Sequence, residues 1–242
     1  MIYFLIPSYN DSSNFLPLLQ NISKNVKKKK KIVIVDDGST DNTQSLVHNL
    51  SKKYSVTRIG YAKNHGPGYA FKYGFNYLIP KIKSNDVVIT MEADNTTDYQ
   101  IIKKMIEKTS KYDVILASPY AKEGAFLGIG LERKLLSAVA NFLDENIFRI
   151  ENVKTYSSFF RAYTSNILKK LLKTYGKNFI SENGFSAVVE LLIKLNKIDA
   201  KISEVPAVTD WTHRKGKSKM KITKTILRHL AIYKSYILGK YN

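Results

Sequence analysis

The sequence of 242 residues contains no cysteine. A disulfide framework, a thiolate nucleophile and a cysteine-based zinc site are therefore excluded. The absence agrees with the reducing environment of the cytoplasm, where disulfides are rare. We accordingly expect a cytoplasmic protein and do not expect zinc.

Long hydrophobic runs are also missing. No segment approaches the roughly 18 consecutive apolar residues that a membrane-spanning helix needs. The N-terminal stretch MIYFLIPSYN (1–10) lacks a basic segment ahead of its short apolar run, so it is typical of a first β-strand and not of a signal peptide. We therefore expect any contact with a membrane to be peripheral.

Acidic residues are scarce, with 20 Asp and Glu against 39 Lys and Arg, and the formal net charge is +19. Such a charge predicts an anionic partner, which is a nucleotide, a nucleic acid or an acidic membrane surface. The basic residues are spread over loops and the C-terminal region, without a helix-turn-helix, zinc-finger or RNP pattern. We therefore do not expect nucleic acid as the partner.

The first half of the chain alternates between two kinds of pattern. Short apolar runs typical of strands occur at Ile2–Ile6, Ile32–Val35, Val56–Ile59, Val87–Met91 and Val114–Ala117. Between them, helical patterns occur at about 14–26, 41–53, 68–79 and 99–110. This alternation predicts an α/β fold with a parallel sheet covered by helices. The hydrophobic content of 44% is enough for the core of one globular domain.

The regular alternation stops near residue 120. A glycine-containing loop at 124–130 precedes a predicted helix at about 131–147, and a mixed region continues to 208. The segment at about 219–240 predicts a basic amphipathic helix, which either packs on the domain or lies on an anionic membrane. The lysine run at 27–31 is expected to be a solvated loop between the first helix and the second strand.

Two acidic motifs follow predicted strands. In VIVDDGSTDNT (33–43), Asp36 and Asp37 stand at a strand end where a nucleotide base and ribose can be bound, although these are also ordinary turn residues. In VVITMEADNTTD (87–98), Glu92 and Asp94 are two positions apart on extended chain, so both carboxylates point the same way. Such a pair suits Mg²⁺ or Mn²⁺ bound to a diphosphate.

Between these motifs lies KNHGPGYAFKYGF (63–75). Gly66 and Gly68 allow the backbone to approach a ligand, and Pro67 suits a first helical turn. The Gly-Lys-Ser/Thr ending of a Walker loop is absent, which argues against an ATPase or GTPase. His65 is interpreted as a turn residue.

Taken in order, seven segments resemble family 2 glycosyltransferases of GT-A fold, and within them the dolichyl-phosphate mannose synthase-like and polyprenyl-phosphate branch. The segments are IPSYND (6–11), VDDGSTD (35–41), NHGPGYA (64–70), MEADNTTD (91–98), SSFFRAY (157–163), GFSAVVELL (184–192) and EVPAVTDWTHRKGKSKMKI (204–222). The resemblance implies an inverting, metal-dependent transfer of a sugar from a GDP- or UDP-sugar to a polyprenyl phosphate at the membrane surface. It also implies one GT-A domain over 1–218, with a nucleotide-sugar half (1–118) and an acceptor half (119–218), followed by a tail helix (219–242).

The resemblance assigns roles to individual residues. Those expected at the nucleotide-sugar are Pro7, Tyr9, Asp11, Asp36, Asp37, Asn64, Gly66 and Glu92. Glu92 and Asp94 are expected to ligate Mg²⁺ or Mn²⁺, and Asp94, Arg214 and Lys219 are the expected catalytic residues. The acceptor phosphate is expected to contact Arg133, Ser137 and Ser218. The chain differs from the family pattern at Glu92, Thr96, Pro119, Thr155 and Phe159.

Two further readings remain open from the sequence. In the first, a family 2 transferase extends a glycan or another hydroxyl acceptor, for which a carboxylate base is needed and Glu182 is the candidate. In the second, the protein is a nucleotide-binding relative without activity.

Overall fold

The computed structural model describes residues 1–214 and 220–241. Two predicted site residues, Ser218 and Lys219, lie outside the described residues. Arg214, the remaining predicted catalytic residue of the same basic loop, lies within them.

The described residues form nine strands and eight α-helices. The strands are β1 (Ile2–Ser8), β2 (Lys30–Asp37), β3 (Val56–Tyr61), β4 (Val87–Thr90), β5 (Val114–Ser118), β6 (Ala125–Leu127), β7 (Arg161–Thr164), β8 (Ile202–Pro206) and β9 (Val208–Asp210). The helices are α1 (Ser12–Asn25), α2 (Thr43–Ser51), α3 (Pro67–Leu78), α4 (Ile102–Lys108), α5 (Leu131–Phe148), α6 (Ser165–Tyr175), α7 (Ala187–Lys197) and α8 (Ile222–Ile237).

Seven strands form the central sheet in the order β3-β2-β1-β4-β7-β5-β8. All neighbours are parallel except β7, which is antiparallel to both β4 and β5. The predicted mostly parallel α/β fold is therefore confirmed. Since β7 and β8 come from beyond residue 118, both predicted halves contribute to one sheet.

Helices cover both faces of this sheet, which is why its central strands are apolar on both sides. In β1, Leu5 packs with α3 residues such as Phe75 on one face. Its neighbours Phe4 and Ile6 pack with α1 residues such as Phe15 on the other. Burial of each such side chain contributes about 1.5–3 kcal/mol to the free energy of unfolding.

Three predicted boundaries differ from the structure. Strand β2 already begins at Lys30, so only 27–29 of the lysine run lie before it. The helix predicted at 99–110 starts as a 3₁₀ turn, Tyr99–Ile101, which the Asp98 side chain caps by accepting a hydrogen bond from the Gln100 N–H. The described tail helix begins at Ile222 and ends at Ile237, inside the predicted 219–240.

A small two-stranded sheet lies apart from the central one, with β6 parallel to β9. Strand β6 leads through a short loop into α5, and β9 leads into the Trp211–His213 turn. In residues 1–214 and 220–241, no helix combines the length and apolarity needed to cross a membrane.

Candidate active site

The two acidic motifs lie at one edge of the central sheet. Strand β1 is parallel to both β2 and β4, so the carboxyl ends of these strands meet at that edge. Ser8 near the end of β1 is in register with Asp36 near the end of β2. Glu92 and Asp94 follow β4 directly. Strand-end positions of this kind bind ligands in open α/β sheets.

Asp36 is buried and already paired within the protein. Its Oδ1 accepts a hydrogen bond from the Ser39 N–H at 2.9 Å, and its Oδ2 lies 2.8 Å from both Nε and Nη2 of Arg58. The sequence analysis missed Arg58. In the β2–β3 register Arg58 is opposite Ile34, so it projects on the same face as Asp36, and a lone basic residue within an apolar strand was the available signal.

Asp37 organises the glycine-containing loop before α3. Its carboxylate accepts four hydrogen bonds of 2.8 Å, from Tyr61 Oη, Asn64 Nδ2, and the N–H groups of His65 and Gly66. Gly66 has φ of +100°, and a Cβ there would lie 2.5 Å from the carbonyl oxygen of Asn183. Three predicted nucleotide-sugar residues, Asp37, Asn64 and Gly66, therefore form one cluster.

The loop after β1 is tied to the loop after β2. Pro7 is part of β1, and the Tyr9 N–H donates to Asp11 Oδ2 at 3.3 Å. Asn10, with φ of +52°, accepts the Thr40 N–H at 2.8 Å through its side-chain oxygen. Sequence analysis did not single out Asn10, which brings the predicted residues of both loops together.

Asp94 is buried, and both of its carboxylate oxygens have partners. Oδ1 accepts hydrogen bonds from the Thr96 N–H at 3.2 Å and the Thr96 hydroxyl at 2.8 Å. Oδ2 lies 3.4 Å from Nη1 of Arg214. Burial, together with the nearby charge of Asp94, raises the pKa of Glu92 to about 8. The two predicted metal ligands therefore interact with each other and with Arg214.

This donor set fits a hard divalent ion. Carboxylate oxygens are preferred by Mg²⁺, which usually takes one or two of them and completes its shell with waters and substrate phosphates. Across residues 1–214 and 220–241, no group of three or more His, Asp and Glu side chains is placed to hold a metal. Glu92 and Asp94 thus suit a metal that arrives with phosphate ligands.

A cavity of about 290 Å³ joins several predicted residues. Glu92, Arg133, Ser137 and Arg214 all line it. Most of the remaining wall is apolar and includes Leu136, Phe159, Phe160, Phe185, Val189 and Ile226. The structure therefore brings one predicted metal ligand, one predicted catalytic arginine and both described acceptor-phosphate residues to one cavity, while Asp36 and Asp37 lie outside its lining.

Helix α5 presents the predicted acceptor-phosphate pair on one face, because residues four apart lie one turn apart. The Ser137 hydroxyl accepts a hydrogen bond from Tyr120 at 2.7 Å. The guanidinium carbon of Arg133 lies 4.6 Å from the centre of the Trp211 ring, and that of Arg214 lies 5.0 Å from it. Burial and the neighbouring charge of Arg214 lower the pKa of Arg133.

Arg161, within the SSFFRAY segment, shapes the cavity wall. It is fully buried in β7 and donates hydrogen bonds to the carbonyl oxygens of Tyr156, Ser158 and Val188. These bonds fix the loop of residues 156–158, whose serines line the cavity. Burial lowers the pKa of Arg161.

Glu182, the candidate base for a hydroxyl acceptor, does not line this cavity. Its Oε1 accepts the Gly184 N–H and lies 2.9 Å from Nη1 of Arg228 on α8. The carboxylate therefore links the 181–184 loop to the tail helix.

The sequence is similar to those of known glycosyltransferases. The sequence profile described as Glycosyl transferase family 2 matches residues 3–172. The dolichol-phosphate mannosyltransferase of Pyrococcus furiosus is 31% identical over 229 residues, which are 93% of this chain and 60% of that protein. The undecaprenyl-phosphate mannosyltransferase of Micrococcus luteus is 23% identical over 217 residues, which are 89% of this chain and 86% of that protein.

The fold also matches solved structures. Glucosyl-3-phosphoglycerate synthase from Mycobacterium tuberculosis, crystallised with Mn²⁺, UDP-glucose and phosphoglyceric acid, superposes with a TM-score of 0.65 at 14% identity. The match covers 96% of this chain and 79% of that one. At this identity the likeness establishes the fold, which is the GT-A fold. It does not establish the substrates.

Proposed function

Because the chain belongs to glycosyl transferase family 2 and is a glycosyltransferase, we propose that it transfers a sugar from a nucleotide-sugar to a polyprenyl phosphate. One observation carries this proposal. The cavity that begins at Glu92 and Arg214 also contains Arg133 and Ser137 and continues along apolar side chains. Such a wall suits an acceptor with an anionic head and a hydrocarbon chain.

The donor binds at the carboxyl ends of β1, β2 and β4 in this proposal. The loop cluster around Asp36, Asp37 and Asn10 shapes the nucleotide subsite, and Glu92 and Asp94 would hold Mg²⁺ or Mn²⁺. The bound ion would neutralise negative charge on the departing nucleoside diphosphate. The Mn²⁺ crystallised with the mycobacterial enzyme supports a divalent ion without naming which one serves here.

The acceptor phosphate binds to the Arg133 guanidinium and the Ser137 hydroxyl. Arginine matches phosphate geometry through paired N–H donors. A phosphate monoester loses its second proton near pH 6, so its oxygen is already a nucleophile at neutral pH. No carboxylate base is then needed, which agrees with the position of Glu182 against Arg228.

The transfer itself is a single displacement in this proposal. A phosphate oxygen of the acceptor forms a bond to the anomeric carbon while the bond from that carbon to the diphosphate breaks, and attack from the opposite face inverts the configuration. Arg214 stabilises the charge that develops on the diphosphate. As the resemblance implies, Lys219 is proposed to be catalytic like Arg214, and Ser218 is proposed to bind the acceptor phosphate.

The two helices beside the cavity suit a membrane surface. Their exposed apolar side chains, each between 40% and 82% accessible, are Leu131, Leu135, Leu136, Val139, Phe142 and Leu143 on α5 and Ile222, Ile226, Leu227, Leu230 and Ile237 on α8. Exposed lysines, among them Lys134 and Lys224, accompany them. Apolar insertion combined with basic residues is how peripheral helices bind anionic lipid. We therefore propose that the protein binds peripherally to a membrane that contains its acceptor.

The test compares two acceptors of equal chain length. Purified protein with Mg²⁺ or Mn²⁺ receives a panel of radiolabelled GDP- and UDP-sugars, together with either a polyprenyl phosphate or the corresponding polyprenol. Sugar should move to the phosphate and not to the alcohol. Transfer to the alcohol, with none to the phosphate, would overturn the proposal.

A further inference from the structure

Trp211, the only tryptophan of the chain, contacts two arginines from distant parts of the sequence. Arg133 comes from α5 and Arg214 from the end of the turn that Trp211 begins. Their guanidinium carbons lie 4.6 Å and 5.0 Å from the centre of the indole ring. Both distances are within the range of a cation–π interaction, for which tryptophan is the best partner. All three residues line the cavity.

The β6–β9 pairing brings these residues together. Phe126 and Leu127 of β6 are in register with Thr209 and Asp210 of β9. After β6 the backbone turns at Gly128 and leads into α5, and after β9 it continues into the Trp211 turn. Gly128 has φ of +67°, and a Cβ there would lie 2.9 Å from the backbone nitrogen of Thr212. This close approach seats the Trp211 turn against the start of α5.

Asp210 fixes the Trp211 turn to the predicted metal site. Its Oδ1 accepts hydrogen bonds from the N–H and hydroxyl of Thr212, at 2.9 Å and 2.6 Å. Its own N–H donates to the carbonyl oxygen of Thr96 at 3.0 Å. Thr96 in turn holds Asp94. Hydrogen bonds thus connect the turn that contains Trp211 to the carboxylate that Arg214 contacts.

We propose that Trp211 is a positioning residue that holds Arg133 and Arg214 side by side, so that the donor diphosphate and the acceptor phosphate are bound at adjacent sites. The inference rests on the proposed function, because it assigns one arginine to each phosphate. The two like-charged guanidinium groups repel each other, and burial together with the charge of Arg214 lowers the pKa of Arg133. The electron-rich face of the indole offsets part of that repulsion and limits where each group can lie.

The experiment compares Trp211→Phe, which keeps an aromatic face, with Trp211→Leu, which removes it. Binding of Mg²⁺–pyrophosphate is measured by calorimetry, and kcat and KM are measured for donor and acceptor. Trp211→Leu should weaken pyrophosphate binding and lower kcat/KM for the acceptor, each by roughly tenfold or more. Trp211→Phe should stay within about threefold of the wild type in both measurements. Should Trp211→Leu fail to fold by circular dichroism, Trp211→Met replaces it.

A second comparison separates positioning from a general structural role. In a background carrying Arg133→Gln and Arg214→Gln, Trp211→Leu should have no further effect on pyrophosphate binding, because the groups it positions are gone. An equal loss in both backgrounds would overturn the proposal. Since pyrophosphate binding needs no acceptor, this outcome can be told apart from failure of the proposed transfer, which shows as a wild-type protein without activity on polyprenyl phosphate.

Discussion

The Nε2 atom of His229 lies 2.6 Å from Oδ1 of Asp144, a carboxylate with no accessible surface. The Tyr233 hydroxyl donates to the same oxygen at 2.9 Å. Asp144 belongs to α5 and both partners belong to α8, so one buried carboxylate joins the two helices. The tail helix therefore packs on the domain through one face, while its other face remains exposed and is the part proposed to meet the membrane.

This contact makes His229 important for stability. His229→Leu leaves the Asp144 carboxylate buried without its nearest possible cation, which costs about 3 kcal/mol. His213→Leu is the matched control, because His213 also pairs with an aspartate, Asp210, but is 68% exposed. That change should cost clearly less, because solvent screens an exposed ion pair. Urea unfolding of both variants measures the difference, and equal losses would contradict it.

The predicted metal ligands should be needed for transfer and for metal binding. Asp94→Ala removes one of two oxygen ligands and should lower transfer by about a hundredfold or more. It should also weaken Mn²⁺ binding measured by electron paramagnetic resonance in the presence of nucleoside diphosphate. Glu107→Ala, at an exposed carboxylate on α4, is the control and should change neither measurement. Unchanged Mn²⁺ binding in Asp94→Ala would show that the ion binds elsewhere.

The raised pKa of Glu92 predicts a pH dependence of stability. Its pKa is about 8 in the folded protein against 4.5 in an unperturbed glutamate, so between these values the folded state binds more protons than the unfolded state. The free energy of unfolding therefore falls as pH rises through this window. Glu92→Gln cannot ionise, so it removes this pH-dependent part of the free energy of unfolding.

Metal-free urea unfolding at pH 5, 6.5 and 8 checks this expectation. Relative to the wild type, Glu92→Gln should become progressively more stable toward pH 8. A difference that stays constant over the three pH values would show that Glu92 ionises normally.

The sheet could be predicted from the sequence because five of its strands are short apolar runs separated by helical patterns. Strand β7 was missed for a physical reason. It is as short as β4, but it includes the charged Arg161 and runs antiparallel between β4 and β5, so it lacks the apolar composition of its neighbours. Only the tertiary structure supplies the three carbonyl oxygens that make a buried arginine tolerable there.

The acidic site was predictable for a different reason. Carboxyl ends of parallel strands meet at one edge, so two motifs that follow strands of one parallel sheet can be assigned to the same edge, as Asp36 and Asp94 are. No such rule predicts from the sequence that Arg133 and Arg214 both contact Trp211. It depends on the pairing of two three-residue strands, β6 and β9, which are too short to give a periodic signal.

The exposed apolar side chains of α5 should matter for membrane binding and not for folding. Phe142→Ser and Leu135→Ser change residues that are 65% and 62% exposed, so the melting temperature should stay within a few degrees of the wild type. Both changes should reduce co-sedimentation with phosphatidylserine vesicles. For Phe142→Ser the affinity for the vesicles should fall roughly tenfold. Leu16→Ser, at an exposed leucine of α1, is the control. A loss as large in Leu16→Ser would place the membrane surface elsewhere.

Arg133 should act on the acceptor more than on the donor. Arg133→Lys keeps the charge but loses the paired N–H donors, so KM for the polyprenyl phosphate should rise by about tenfold or more. KM for the nucleotide-sugar should change little, since the proposal assigns the diphosphate to Arg214. Lys134→Arg, one position along and exposed, is the matched control, because it exchanges the same two residue types at unchanged charge and should leave both KM values unchanged. If KM for the donor rises instead and KM for the acceptor does not, the assignment of Arg133 to the acceptor phosphate is wrong, because the missing N–H donors would then have served the donor.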